Sequence, residues 1–191
     1  GVSPLVRLSS IDAVEMKQVM DAGAHGVIVP MVKSVNEIEN INKRLLYPPK
    51  GIRGVGLARA QQYGENFDEY MNKFNDEVVV IPQIEHIDAI KNIEAILSHE
   101  STDAFLLGPY DLTASMGIPG QFEHKDYKEA VNKIISAGNR FGKSCGIHII
   151  EPDSVALKNR IKDGFKFVAF SLDIRILNSV LRESLSEIRK K

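Results

Sequence analysis

The chain has 191 residues, with 24 Lys and Arg against 25 Asp and Glu, for a formal net charge of -1. So balanced a charge offers no global field for nucleic acid or an anionic membrane surface, and no apolar run approaches the roughly 20 residues of a membrane helix. One cysteine, Cys145, excludes an internal disulfide and a cysteine-built zinc cage; with no secretory pattern, the expectation is a single-domain, soluble, cytoplasmic protein over residues 1–191.

Taken in chain order, the apolar run at 4–8 reads as a first strand, and a segment closed by Gly23 leads to a second at 26–30. Ser34 with Glu37 has the spacing of a capping box, and Ile38, Ile41 and Leu45 then share one helical face. Residues 46–63 form one long irregular stretch whose YPPKGIRGVG core carries Arg53 and is followed by Arg59. A loop of that length inside a compact domain is usually functional or disordered. Helical spacing returns with Phe67, Tyr70, Met71 and Phe74, and VVVIPQIE at 78–85 reads as the third strand. Ile87, Ile90, Ile93 and Leu97 share the next face, before DAFLLG at 103–108, the fourth strand. Tyr127, Val131, Ile134 and Phe141 mark a helix that Gly142 ends, and the fifth strand follows at 144–149. Glu151-Pro152-Asp153 places a proline near the first turn of a helix that Gly164 stops. A sixth strand at 166–172 precedes Ile174, Leu177, Leu181 and Ile188, one face of a last helix. Its basic end, Arg189 to Lys191, suits the helix macrodipole.

Strands this continuously apolar are those of a parallel sheet buried on both faces, so the fold class is α/β. A strand-plus-helix unit takes roughly 30 residues and an eight-unit barrel about 250. The units counted here fit a TIM (β/α)8 barrel with two units missing; an open doubly wound sheet of six strands fits the count equally. Periodicity does not choose between them.

Charged residues stand at the carboxyl ends of three expected strands, where a parallel α/β fold places its active site. Arg7 ends PLVR, Glu85 ends VVVIPQIE, and Asp111 follows DAFLLGPY. Glu85 and Asp111 lie about one βα unit apart, so adjacent strands present both to one mouth. Two hard oxygen ligands with room for water suit Mg²⁺ or Mn²⁺, which would act as a Lewis acid toward a 2-oxo acid. Arg7 brings a planar fork of donors for a carboxylate or enolate oxygen. The plainer alternative is that Asp111 simply caps the helix beginning at Leu112. Cys145, within an apolar strand, reads as packing.

The stretches PLVR, DAGAHGVIVPMV, YPPKGIRG with ARAQQYG, QIE, and GPYDL with SMG resemble the HpcH/HpaI aldolases in that order, from about Leu5 to Gly117 and more weakly through KSCGIHI. The resemblance implies a metal-dependent (class II) pyruvate aldolase on a (β/α)8 barrel, cleaving a 4-hydroxy-2-oxo acid to pyruvate and an aldehyde. It also implies a divalent ion (Mg²⁺, Mn²⁺ or Co²⁺) and a homo-oligomer, often a hexamer built from dimers. Carried over, Glu85 and Asp111 match the metal ligands, Arg7 the arginine that stabilises the pyruvate enolate, and Gln83 a pocket glutamine. The backbone of Gly108, Pro109, Tyr110 and Asp111 resembles the turn that receives the carboxylate, and Arg59 lies in a loop that shapes the site. The family's acid–base histidine belongs to a segment that would precede Gly1; His148, at a strand end, is the available substitute, while His86 is turned from the face that Glu85 uses. The run Phe170-Ser171-Leu172-Asp173 departs from the family's small residues, leaving Leu172 as a further pocket candidate. Two rival expectations stand: a citrate-lyase-β-like acyl-CoA lyase, with Arg53 and Arg59 as a nucleotide patch, and a barrel that binds metal without turnover.

Overall fold

A computed structural model describes residues 1–189; Lys190, Lys191 and the side chain of Arg189, the basic end expected from the sequence, lie outside the described residues, as does the side chain of Glu187. The elements run β1 (Leu5–Arg7), α1 (Ala13–Asp21), β2 (Gly26–Val29), α2 (Val35–Leu45), a 3-10 segment (Arg59–Gly64), α3 (Phe67–Glu77), β3 (Val79–Ile84), α4 (Ile87–Lys91) and α5 (Ile93–Ser98). They continue as β4 (Ala104–Leu107), α6 (Pro109–Ser115), α7 (Lys125–Arg140), β5 (Ser144–Ile149), α8 (Ser154–Lys162), β6 (Phe167–Phe170) and α9 (Asp173–Arg189).

Each strand pairs in parallel with the next, in the order β1-β2-β3-β4-β5-β6. A doubly wound sheet reverses its order at a switch point; this one does not, so the six strands are a curled half-barrel, the wall of a TIM barrel. Val27, Val29, Val80, Phe105, Cys145 and Ile147 point outward into the large core beneath the helices. Ile28, Ile81 and Leu106 form a separate cluster with Leu5, Val79, Ala104 and Phe167 on the concave side. Alternation along a strand then assigns Arg7 and Gln83, two residues beyond Leu5 and Ile81, to that concave face.

The helices follow their local signals. Ser34 and Glu37 form the capping box, and Ile38, Ile41 and Leu45 are fully buried, each such side chain contributing roughly 1.5–3 kcal/mol. Gly23, Gly142 and Gly164 take φ of 101°, 67° and 99° at the ends of α1, α7 and α8, as their positions predict. One expectation is corrected: the face from Ile87 to Leu97 is two helices. Asn92 leaves helical geometry between them (φ -101°, ψ 9°), and its side-chain amide donates to the Lys33 carbonyl at 2.9 Å. The apolar stripe of α9 is exposed, with Ile174, Leu177 and Leu181 at 67%, 64% and 59%. Among the described residues, no helix is long and apolar enough to cross a membrane.

The long irregular stretch is anchored by Arg53, which is 3% exposed. Its guanidinium lies 4.4 Å from the Tyr47 ring centroid and 4.5 Å from that of Phe74, and Nη2 donates to Asp21 at 2.6 Å. Lys17 pairs with the same carboxylate. The nucleotide-patch reading of Arg53 is thereby corrected: its charge is spent inside the fold. Burial works against the Asp21 carboxylate, but hydrogen bonds from Lys17 and Arg53, and their charges, outweigh it and hold the group below the usual aspartate range. A depressed folded value means stability is complete above about pH 4 and is lost as pH falls through that lower value. Asp21→Ala, which leaves Arg53 buried and unpaired, is expected to cost about 2–3 kcal/mol at neutral pH. It should also flatten the acid limb of the urea-midpoint profile; an unchanged profile would contradict the pairing.

Candidate active site

The site is assembled around one carboxylate. Glu85, just past the end of β3, is 1% exposed, and both its oxygens are held. Oε1 accepts from the backbone N–H of Met31 at 2.8 Å, and Oε2 accepts from Nε2 of Gln83 at 2.6 Å. Gln83 Oε1 in turn accepts from Nε of Arg7 at 3.4 Å, which fixes the amide orientation, since a carboxylate only accepts and a guanidinium only donates. Met31 reaches Glu85 because its backbone sits at φ 57°, a left-handed conformation that costs a residue with a Cβ about 1–2 kcal/mol.

Gly108 closes the other side. A Cβ there would stand 2.7 Å from Glu85 Cβ and 3.1 Å from Gln83 Nε2, and would collide with Glu85 Oε2. Only glycine lets the β4 end approach so closely. Gly108 is also the N-cap of α6, with Pro109 at its first position. The reading of Asp111 as a simple cap is therefore corrected: it lies inside the first turn, exposed. Ser115 ties the two halves together, its Oγ accepting from Ile87 N at 2.9 Å and donating to Leu112 O at 2.7 Å. Neither Met31 nor Ser115 carries a signal that marks it in the sequence.

Burial pushes the Glu85 carboxyl above the usual range; the Met31 N–H opposes this, Asp111 raises it further by charge and contact, and Arg7 opposes again. A buried Glu85 carboxylate beside the exposed Asp111, with one guanidinium near them, forms a donor set that a divalent cation could satisfy. Among the described residues no cluster of three or more His, Cys, Asp or Glu side chains could hold a metal; Glu85 and Asp111 could offer two oxygen donors to one.

The structure brings Arg7, Gln83, Glu85, Gly108 and Asp111 to one mouth. Tyr110 flanks it at 59% exposure, its ring edge-on to Phe122 at 4.9 Å. Leu172, 47% exposed, lies beyond β6. His148 reaches the same end of the sheet, with Nε2 bonded to the Ser171 carbonyl at 3.2 Å. His86 caps α4, accepting from Asp88 N at 3.1 Å. Arg59 is not part of this mouth: it donates to the Ala22 carbonyl at 3.0 Å, where α1 ends and β2 is about to begin. That end of the sheet also holds a cleft of about 500 Å³ lined by His25, Glu69, Lys73 and Val79, remote from the carboxylates.

A parallel barrel wall with carboxylates and an arginine at its carboxyl ends has its charged groups where enzymes of this architecture place their active sites. The profile of the HpcH/HpaI aldolase/citrate lyase family matches residues 1–179, and the chain belongs to that family. It is 38% identical over 176 residues to the 4-hydroxy-2-oxo-heptane-1,7-dioate aldolase of Escherichia coli, covering 91% of this chain and 66% of that protein. To the hydroxypyruvate/pyruvate aldolase of Pseudomonas aeruginosa it is 34% identical over 182 residues, covering 94% of this chain and 67% of the relative. The crystal structure of the HpcH/HpaI aldolase from Desulfitobacterium hafniense DCB-2 superposes with a TM-score of 0.88 at 31% identity, covering 100% of this chain and 74% of that one. The chain thus spans 66% of the length of the E. coli relative.

Gly108→Ala is expected to force Glu85 away from Gln83 and lower the melting temperature by about 2–10 °C, in line with overpacking costs; calorimetry showing no change would contradict the close approach. Cys145, 4% exposed, has its thiol pushed up to about 12 by burial, so alkylation by iodoacetamide at pH 8 should be negligible in the folded protein and rapid in urea.

Proposed function

We propose that this chain carries the catalytic wall of an aldolase that reversibly cleaves a 4-hydroxy-2-oxo acid to pyruvate and an aldehyde. The observation that carries the reading is the pairing of Glu85 with Asp111 beside Arg7, at the end of the sheet where parallel barrels do their chemistry. The names of the E. coli and P. aeruginosa relatives, both aldolases, support it. Glu85 and Asp111 would hold Mg²⁺, Mn²⁺ or Co²⁺, which when bound supplies Lewis-acid polarisation of the 2-oxo acid. Arg7 then offers guanidinium donors to the oxygen on which negative charge collects as the C3–C4 bond breaks. Gln83 sets the angle of both Arg7 and Glu85, since it bonds to each. In the turn from Gly108 to Asp111, the Gly108 N–H is donated to Ile84 O and Pro109 has none, so the N–H groups of Tyr110 and Asp111 would receive the substrate carboxylate.

The acyl-CoA reading loses its support, because Arg53 is buried against Tyr47 and Phe74 and Arg59 stands at the other end of the sheet. The exposed stripe of α9, with Leu177 and Leu181 at 64% and 59%, supports a homo-oligomer, a hexamer built as a trimer of dimers in the reading taken here.

Two tests follow from the geometry. In a lactate-dehydrogenase-coupled assay with Mn²⁺, EDTA and Glu85→Ala should each abolish pyruvate release, and Arg7→Ala should lower kcat about 10²–10³-fold while leaving Mn²⁺ affinity measured by calorimetry within a few-fold. Release that survives EDTA would sink the metal reading. In light scattering, the protein should run as an oligomer that Leu177→Asp with Leu181→Asp breaks down; a monomer at all concentrations would remove the assembly.

A further inference from the structure

Asp111 and Ser115 stand four residues apart on α6, so they share one face of that helix. The face that brings Asp111 against Glu85 also brings Ser115 to Ile87, two residues further along the chain. These two contacts act in opposite senses. Close carboxylates repel when both are ionised, whereas the Ser115 hydroxyl, accepting from Ile87 N at 2.9 Å, draws the same elements together. Apart from the contact of the carboxylates themselves, it is the one hydrogen bond among the described residues that joins α6 to the chain from Glu85 to Ser98. Its direction is fixed at both ends. The hydroxyl donates to Leu112 O at 2.7 Å, which leaves its lone pairs for Ile87. Ile87 N lies in the first turn of α4, where donors lack partners within the helix; the His86 ring takes the N–H of Asp88 at 3.1 Å, and Ser115 takes that of Ile87. The helix between is stiff: Leu112 N donates to Gly108 O at 3.0 Å, and the fully buried Thr113 donates through Oγ1 to Tyr110 O at 2.9 Å. A shift at Ser115 is thereby carried to Asp111.

Resting on the metal-dependent reading above, we infer that Ser115 is a positioning residue for the divalent ion: its hydroxyl holds the Glu85 and Asp111 carboxylates at the separation that shared coordination requires. The repulsion of the two carboxylates pushes α6 away from the end of β3, and the Ser115–Ile87 bond opposes that push. Without the hydroxyl, the Ile87 N–H turns to water and α6 relaxes outward. Part of the binding free energy of a cation then goes into drawing Asp111 back, and affinity falls although both ligands are intact.

The test is Mn²⁺ binding by calorimetry to the unchanged protein, Ser115→Ala, Ser115→Thr and Thr102→Ala. Thr102 is the matched control: it is fully buried and its hydroxyl donates to Ile96 O at 2.9 Å, just before β4 and at the end of the sheet away from the carboxylates. Ser115→Ala should weaken Mn²⁺ binding about 10-fold, while Ser115→Thr, which keeps the hydroxyl, and Thr102→Ala stay within about two-fold of the unchanged protein. In the pyruvate-release assay, Ser115→Ala should need correspondingly more Mn²⁺ for half-activation and yet keep its kcat once Mn²⁺ saturates, a split that general loosening of the fold does not produce. Unchanged affinity in Ser115→Ala, an equal loss in Thr102→Ala, or no rescue by Ser115→Thr overturns the positioning role and leaves the metal reading standing. Absence of Mn²⁺ binding by the unchanged protein overturns the metal reading and the inference with it.

Discussion

Glu85 is an ionisable group with almost no contact with water, and such a group is tolerated only where each oxygen is matched by a donor or a cation. That requirement propagates outward. It calls for a peptide N–H from β2's end, which Met31 supplies by leaving ordinary backbone geometry. It calls for an amide two residues back on its own strand, which the pleat places on the same face. It calls for a neighbour on β4 with no side chain at all, which is Gly108. Three consecutive strands are thereby committed to one carboxylate, and the arginine on β1 is drawn in through Gln83.

The molecule divides its labour between the two ends of the sheet. The carboxyl ends carry the left-handed backbone of Met31 and Ser171, the close carboxylates, and the rings of Tyr110 and His148. The amino ends carry the brace: Arg53 between two aromatic rings, Asp21 beneath it, and Arg59 on the last turn of α1. A parallel barrel allows this separation because its strands all run the same way, so groups at their carboxyl ends and contacts at their amino ends lie at opposite faces. The cleft beside His25 and Lys73 belongs to the supporting end, away from the carboxylates.

Much of this was legible in the residues. All six strands fall where apolar runs place them, because strands buried on both faces have no polar alternation to blur their limits. Arg7, Glu85 and Asp111 stand out at the ends of apolar runs, where a parallel fold carries its chemistry, whereas Gln83 is marked only by the family resemblance. What escaped was set by contacts remote in sequence. Arg53 looked like surface charge, and only the packing of Tyr47 against Phe74, at 5.2 Å between centroids, makes it an interior cation. The break at Asn92 depends on the Lys33 carbonyl, which periodicity does not register. Met31 has no turn propensity, so nothing local announces its left-handed backbone. The choice between barrel and open sheet also lay beyond periodicity, because both use the same units; only strand order separates them.

The conformation of Met31 has a bearing on how freely this position can vary. Its side chain is 40% exposed, and by exposure alone it would tolerate almost any replacement. Yet a backbone at φ 57° admits glycine and asparagine readily and β-branched residues hardly at all. In a saturation library, position 31 would therefore show the narrow spectrum of a core residue while its neighbours in exposure drift widely. Selection there acts on a dihedral angle, with the identity of the side chain as its trace.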